Sequence, residues 1–443
     1  VNRVTGFIVF LAEADASTAP WQVALPPGRR AGIDFSAQSG KTFHMSDGGP
    51  QTPKPASGTG PSHAPADLRA AWGQIVRSPL YWLLAAMPLA VALDWFGAGG
   101  LWVFVLSAVA IIPLAGLMGR ATENLAEKLG AGVGGLLNAT FGNAAELIIA
   151  LVALSKGPDM YPLVKASITG SIIGNILLVL GLSILLGGLK HRRQQFNRTA
   201  AGMGATLLAL ASIGLVMPTL YYYMFHSGGE GGDAQTQGIN YLSEEIAVIL
   251  AVIYLLSLVF SLKTHRHLFA GDETEMPVGD EHPHLPWARN TSFIILLLAT
   301  AGIAWMSEML VGSVEHAAES LGMSRVFVGV IIVAVIGNAA EHSTAVLMAM
   351  KDKMDLAFHI AVGSGIQIAL FVAPVLVFAS MLMGHAQPLD LHFTLLELVS
   401  VILAVGILAL VSQDGESHWM EGVMLLGVYL IMALAFYHLP EQL

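Results

Sequence analysis

The sequence predicts an all-α integral membrane protein of eleven transmembrane helices, one extra N-terminal helix followed by two five-helix repeats of inverted topology. Three observations predict it. Of the 443 residues, 55% are hydrophobic and only 12% are charged, about half the charged fraction of a soluble domain. The apolar residues gather in eleven runs, near 79–97, 100–119, 131–155, 162–188, 200–222, 243–262, 291–311, 325–350, 356–384, 392–412 and 420–438. Each is long enough for a helix to cross ~30 Å of hydrocarbon, where only closed backbone hydrogen bonding is tolerated. Finally, the pentapeptide Gly-Asn-Ala-Ala-Glu stands at 142–146 and again at 337–341.

Along the chain, residues 1–76 are rich in Pro, Gly, Ser and Ala and offer no apolar face, so a disordered tail is expected. Within it Met45 opens "MSDGGP" in the manner of an alternative translation start, an expectation under which 1–44 are untranslated. Residues 77–97 form the extra helix, and 98–262 the first five-helix repeat. A cytoplasmic loop at 263–290 mixes acids with His265, His267, His282 and His284, and is expected to be a solvated linker. Residues 291–438 form the second repeat, and 439–443 a short tail.

The repeat extends beyond one phrase. "ENLAEKLG" at Glu123–Gly130 and "EHAAESLG" at Glu315–Gly322 share a frame 192 residues apart; the two pentapeptides lie 195 apart; "GSIIGN" at Gly170–Asn175 is followed 192 residues later, at Gln367, by the end of "GSGIQ". Three elements in one order indicate duplication. Five spans is an odd number, so the second copy enters the membrane from the opposite face, the arrangement of transporters whose site lies at the repeat interface.

Charge placement sets the orientation. With the amino terminus inside, eighteen of the 21 Lys and Arg residues fall on that side, and only Lys156, Lys165 and Arg325 fall opposite. The positive-inside rule then puts the amino terminus in the cytoplasm and the carboxyl terminus outside, with a bacterial inner (plasma) membrane as the expected setting. Composition also excludes. No cysteine is present, so a disulfide framework or thiolate metal site cannot form. No H-e-x-x-h pattern occurs, which removes the ligand set of a zinc enzyme. The formal charge of −10 argues against nucleic acid as a partner. Neither an enzyme activity nor a cofactor is expected.

The chemistry centres on two glutamates. Asn143 and Glu146, at i and i+3, share a helix face, as do Asn338 and Glu341. A charge at a helix centre costs about 2.5–3.5 kcal/mol on insertion scales, so both carboxylates should face inward. The small residues around them permit close helix approach and can bring the carboxylates together. Two carboxylates with amide and hydroxyl oxygens from Asn143, Asn338, Ser171, Ser364, Asn175 and Gln367 make a hard oxygen site suited to Ca²⁺, and two negative charges match two positive ones. The glycines of "GSIIGN" and "GSGIQ" are expected to interrupt their helices and free backbone carbonyls. Without the ion the carboxylates repel, and protons become the competing ligand. A site that holds Ca²⁺ or protons, and cannot cross the membrane bare, exchanges one for the other.

His342, beside Glu341, is a proton-coupling or selectivity candidate or a core histidine; the first copy has Leu147 there. Glu123 and Glu315 are either vestibule carboxylates or solvated helix ends. These residues alone leave a cation channel, Na⁺ or K⁺ as the exchanged ion, carriage of other divalents, and the oligomeric state open.

"LLNATFGNAAELIIALVAL" and "GNAAEHSTAVLMAMKDKMDLAFHIAVGSGIQIALFVAPVLV" closely resemble the two signature repeats of the Ca²⁺/H⁺ exchangers, the cation/proton exchanger branch of the calcium:cation antiporter superfamily. The resemblance covers about 100–438. It implies eleven helices, one plus two inverted halves of five, and Ca²⁺ efflux or sequestration driven by protons. It also implies that Glu146 and Glu341 are the paired ion- and proton-carrying carboxylates, with the six polar residues around them, and His342 matches the second motif. Sodium/calcium exchangers carry differently worded repeats.

Overall fold

The computed structural model describes residues 68–97, 99–226, 233–265, 287–385 and 387–439. They form an all-helical membrane protein. Every one of the eleven apolar runs is helical. In chain order, α1 (Leu68–Arg77) and α2 (Pro79–Trp95) meet at 96°; α3 spans Gly100–Leu129; α4 (Val133–Phe141) and α5 (Ala144–Ser155) are bent by 48°. Then come α6 (Pro158–Lys190), α7 (Arg198–Met224) and α8 (Gln237–Thr264). The second half repeats the order: α9 (Arg289–Leu321), α10 (Arg325–Gly337) and α11 (Ala339–Met350) bent by 61°, α12 (Met354–Leu382), the shorter apolar α13 (Leu395–Val411), and α14 (Trp419–Tyr437). This one-plus-five-plus-five succession is consistent with the expected repeats.

Helix α3 lies along α9, the first helix of the other half, in the most extensive helix pairing. Helix α6 crosses α10 so closely that a Cβ on Gly170 would stand 2.2 Å from the Val330 carbonyl oxygen. Only glycine fits there, and the contact joins a repeated element of one half to the other half's bent helix. A two-residue ladder, β1 (Gln194–Gln195) with β2 (Glu416–Ser417), ties the α6–α7 connection to the α13–α14 connection. Gln194 Nε2 donates to the Ala349 carbonyl (3.1 Å) at the end of α11, and Phe196 stacks on Phe358 (4.9 Å).

Three sequence expectations need correction. Disorder to residue 76 ends too late, because Leu68–Arg77 is a helix. Its apolar residues Leu68, Ala71, Trp72, Ile75 and Val76 recur at helical spacing, and Ala71 and Ile75 are buried. The loop at 263–290 is not solvated at its end. Trp287 is fully buried, its indole donating to Gln74 (3.0 Å) and its backbone N–H to Asn124 (3.0 Å). Its carbonyl accepts from Lys128, and Arg120 lies 4.5 Å over the ring. These contacts tie α1, α3 and the start of the second half together. His265 stacks on Phe260; residues 1–67, with Met45, and His267, His282 and His284 lie outside the described residues. Finally, "GSIIGN" and "GSGIQ" do not break their helices. The chain stays helical through them and widens into π-helical turns at Gly174–Val179 and Ile368–Val372, irregularities that concentrate at functional sites. The sharp bends fall instead in the two pentapeptides.

Candidate ion-binding site

The bends decide how the glutamates are presented. Asn143 and Asn338 do not sit within straight helices beside their glutamates; each is the N-cap residue at a bend, with φ −104° and −88°. Neither amide caps its own helix. Asparagine readily leaves helical geometry because its side chain offers alternative hydrogen bonds. Glu146 and Glu341 consequently occupy the first turns of α5 and α11, where the helix dipole favours negative charge.

The released amides pair across the repeat interface. Asn143 Nδ2 donates to Gln367 Oε1 (2.5 Å), and Asn143 Oδ1 accepts from Ser364 Oγ (2.6 Å). In the mirrored position, Asn338 Nδ2 donates to Ser171 Oγ (3.1 Å), and Asn338 Oδ1 accepts from Asn175 Nδ2 (3.2 Å). Asn175 Nδ2 also donates to Ser364 Oγ (2.9 Å), which joins the two sets. All six polar residues singled out from the sequence therefore belong to one network, and each asparagine binds the serine and amide of the opposite half.

The glutamates cross over in the same way. A methyl group at Gly337 would lie 3.1 Å from Glu146 Cγ, and one at Gly142 would lie 3.6 Å from Glu341 Oε1 and 3.4 Å from Gln367 Oε1. Each carboxylate thus packs on the glycine that precedes the other's bend, which brings both to the repeat interface. Both Glu146 oxygens, Glu341 Oε2 and Asn175 Oδ1 are buried without a hydrogen-bond partner. These orphans are all oxygen acceptors, whereas buried polar atoms are ordinarily satisfied. Such a set can bind a proton or a hard cation. His342 Nε2 is likewise buried and unpartnered. Among the described residues no cluster of three or more His, Cys, Asp or Glu side chains occurs, so the donors are two carboxylates and neutral oxygens.

A cavity of about 1630 Å³ reaches the network from one side. Gly142, Gly337, Glu341, Ser364 and Gln367 line its inner end, while Glu123, Glu127, Lys351 and Asp355 line it nearer the surface. Glu146 is not on the cavity wall. Glu123 lines the cavity, whereas Glu315 is not on its wall and lies toward the other face, 2.9 Å from Arg325. On that face every basic residue assigned there by the charge bias is ion-paired: Lys156 with Glu308, Lys165 with Asp390 and Arg325 with Glu315. Those pairs, the cavity and its lining His359 were not read from the sequence. In the sequence the basic residues stand only as charges, and His359 is a single imidazole in an apolar run.

The profile of a family described as sodium/calcium exchanger protein matches residues 99–263 and 291–438. A relative from Synechocystis sp., named Ca(2+)/H(+) antiporter, is 47% identical over 373 residues, covering 81% of this chain and 96% of its own. One from Bacillus subtilis, named Ca(2+)/H(+) antiporter ChaA, is 46% identical over 335 residues, covering 75% and 91%. The solved structure of native YfkE is 41% identical with a TM-score of 0.68, covering 81% of this chain and 100% of its own. That of the H⁺/Ca²⁺ exchanger CAX, 14% identical, shares the fold at a TM-score of 0.61 and covers 84% and 93%.

Proposed function

On the premise that this chain belongs to the sodium/calcium exchanger protein family, we propose that it exchanges Ca²⁺ for H⁺ across the membrane by alternating access. The observation that carries this reading is the set of orphaned buried oxygens on Glu146, Glu341 and Asn175. Ca²⁺ takes 6–8 oxygen ligands at about 2.3–2.6 Å, supplied by carboxylates, amides, carbonyls and water. Glu146 and Glu341 are its charged ligands in this reading, and Asn143, Asn338, Ser171, Ser364, Asn175 and Gln367 form the neutral surround.

The exchange follows from electrostatics. Two ionised carboxylates facing each other away from water are held apart at high cost, so the empty site takes up protons. Arriving Ca²⁺ displaces them, and either occupant leaves the site close to neutral. A neutral site can pass through the rearrangement that closes one access path and opens the other; a bare one carries uncompensated charge. His342, next to Glu341, tunes the proton competition or the ion preference. The charge bias supports a cytoplasmic amino terminus and an outside carboxyl terminus, and the bacterial relatives support a bacterial inner membrane. The cavity then opens to the cytoplasm, with Glu123 gathering cations at its entrance and Glu315 near the opposite path.

The test is ⁴⁵Ca²⁺ uptake into proteoliposomes with an acidic interior, with and without a protonophore. Uptake should collapse when the proton gradient is dissipated, and Glu146→Gln or Glu341→Gln should abolish it while leaving membrane insertion intact. Ca²⁺ flux indifferent to the gradient, or wild-type flux in either variant, would overturn the proposal.

A further inference from the structure

Among the described residues the cavity wall carries a single imidazole. His359, on α12, lines the cavity together with Glu341, Ser364 and Gln367, and its side chain is exposed to it. Asp355, His359, Gly363 and Gln367 all line the cavity at intervals of four residues, which puts them on one helix face. At 1.5 Å rise per residue, that face runs about 18 Å from the mouth to the network, with His359 about 12 Å from Gln367 along the axis. Asp355 is itself fixed, accepting a hydrogen bond from the Asn197 backbone N–H.

The surrounding charges define what His359 can do. On its own helix the neighbour is Asp355; Lys351 and Lys353 stand at the mouth, Arg120, Glu123 and Glu127 across the cavity on α3, and Glu341 at its inner end on α11. The helices packed against α12 add His342 on α11, Lys190 at the end of α6, Arg198 at the start of α7 and Lys263 at the end of α8. Among ordinary side chains in such a setting, only an imidazole accepts and releases a proton near neutrality. The opposite access path is different. The register pairing Gln367 with Asn175 sets Ser167 against His359, and a serine does not titrate in this range.

We propose that His359 is a proton-transfer residue for the path on this face. The proposal rests on the Ca²⁺/H⁺ exchange reading. When Ca²⁺ enters from the cavity, the protons leaving the Glu146–Glu341 pair pass one at a time through cavity water to a ring nitrogen of His359, and each is released from the imidazolium to buffer at the mouth. When protons load from this side the same steps run backward. Only O–H and N–H bonds break and form. The opposite path, with Ser167 in place of the imidazole, exchanges protons with water directly. Proton transfer is therefore assisted on one side only.

The experiment measures Ca²⁺ uptake by full-length protein in vesicles, with the cavity face bathed in dilute buffer, for wild type, His359→Ala and His359→Gln. Both variants should lose at least about tenfold in maximal rate, a floor beneath the ~10²–10⁴-fold that a positioned acid–base group contributes. Their half-saturating Ca²⁺ concentration should be unchanged. Free imidazole added on the cavity face should restore His359→Ala and leave wild type unaffected. An undiminished rate in the variants, a rate that imidazole does not restore, or a loss confined to Ca²⁺ half-saturation would overturn the assignment. Proton-independent flux in wild type would overturn the exchange reading and this one together, whereas a proton-coupled wild type with unaffected variants overturns this one alone.

Discussion

At Gly337 the absence of a side chain leaves room for Glu146. A Cβ there would press to 3.1 Å from Glu146 Cγ, tighter than ordinary contact, and Gly142 is similarly confined, 2.9 Å from the Asn138 carbonyl oxygen. Gly337→Ala should therefore displace the Glu146 carboxylate by tenths of an ångström without unfolding the chain. Overpacking typically costs about 1–3 kcal/mol, so Ca²⁺ half-saturation should weaken on the order of tenfold, readable from uptake at varied Ca²⁺; unchanged affinity would contradict the packing described. The residues that the candidate site brings together were legible because a carboxylate inside an apolar run is expensive, and the duplicated phrase wrote it twice. Their partners were not. The i, i+3 spacing of Asn143 and Glu146 reads as one continuous helix, yet Asn143 sits at a bend and bonds Ser364 and Gln367, more than 220 residues away. Nothing local specifies that pairing.

Among the elements, the spans followed directly from hydropathy, since a run of this length in lipid has no alternative to a helix. Helix α1 was lost in its neighbourhood. Its ten residues are amphipathic, but they adjoin a Pro- and Gly-rich stretch that dominates any composition-based reading. The π-helical turns after Gly174 and Gln367 were equally hidden, because one extra residue per turn leaves no mark in an apolar sequence. The α6–α10 crossing yields a test at this scale. Because a Cβ on Gly170 meets backbone 2.2 Å away rather than a movable side chain, Gly170→Val should separate the two helices. Loss of thermal stability in detergent together with loss of transport is the expected outcome, and a stable, active Gly170→Val protein would show that the crossing is looser than described.

At the scale of the whole molecule, a cavity reaches the network from one face, and exposed ion pairs link helices at the other. Lys156 and Glu308 join the end of α5 to α9, with 38% and 52% of their side chains exposed. Such exposed pairs contribute about 0.2–1 kcal/mol each, enough to bias the two states by a factor of roughly 1.5 to 5 without locking either. Glu308→Lys should therefore favour opening on that face, and the exchange Lys156→Glu with Glu308→Lys should reverse the effect. With no native cysteine, Ser167→Cys supplies a clean probe: its labelling by an impermeant thiol reagent should accelerate in Glu308→Lys and return in the double variant, and equal rates in all three backgrounds would refute the pairing's role. Sidedness was legible only in part, since the sequence distributes charge between faces but does not say which face is wet. The cavity of about 1630 Å³ exceeds the ~300–1,000 Å³ of drug-sized pockets, and its walls belong to both halves. In pharmacological terms, a cationic compound wedged there would hold the halves apart and arrest turnover as a one-sided, non-transported blocker, potent when applied to the cavity face and inert from the other.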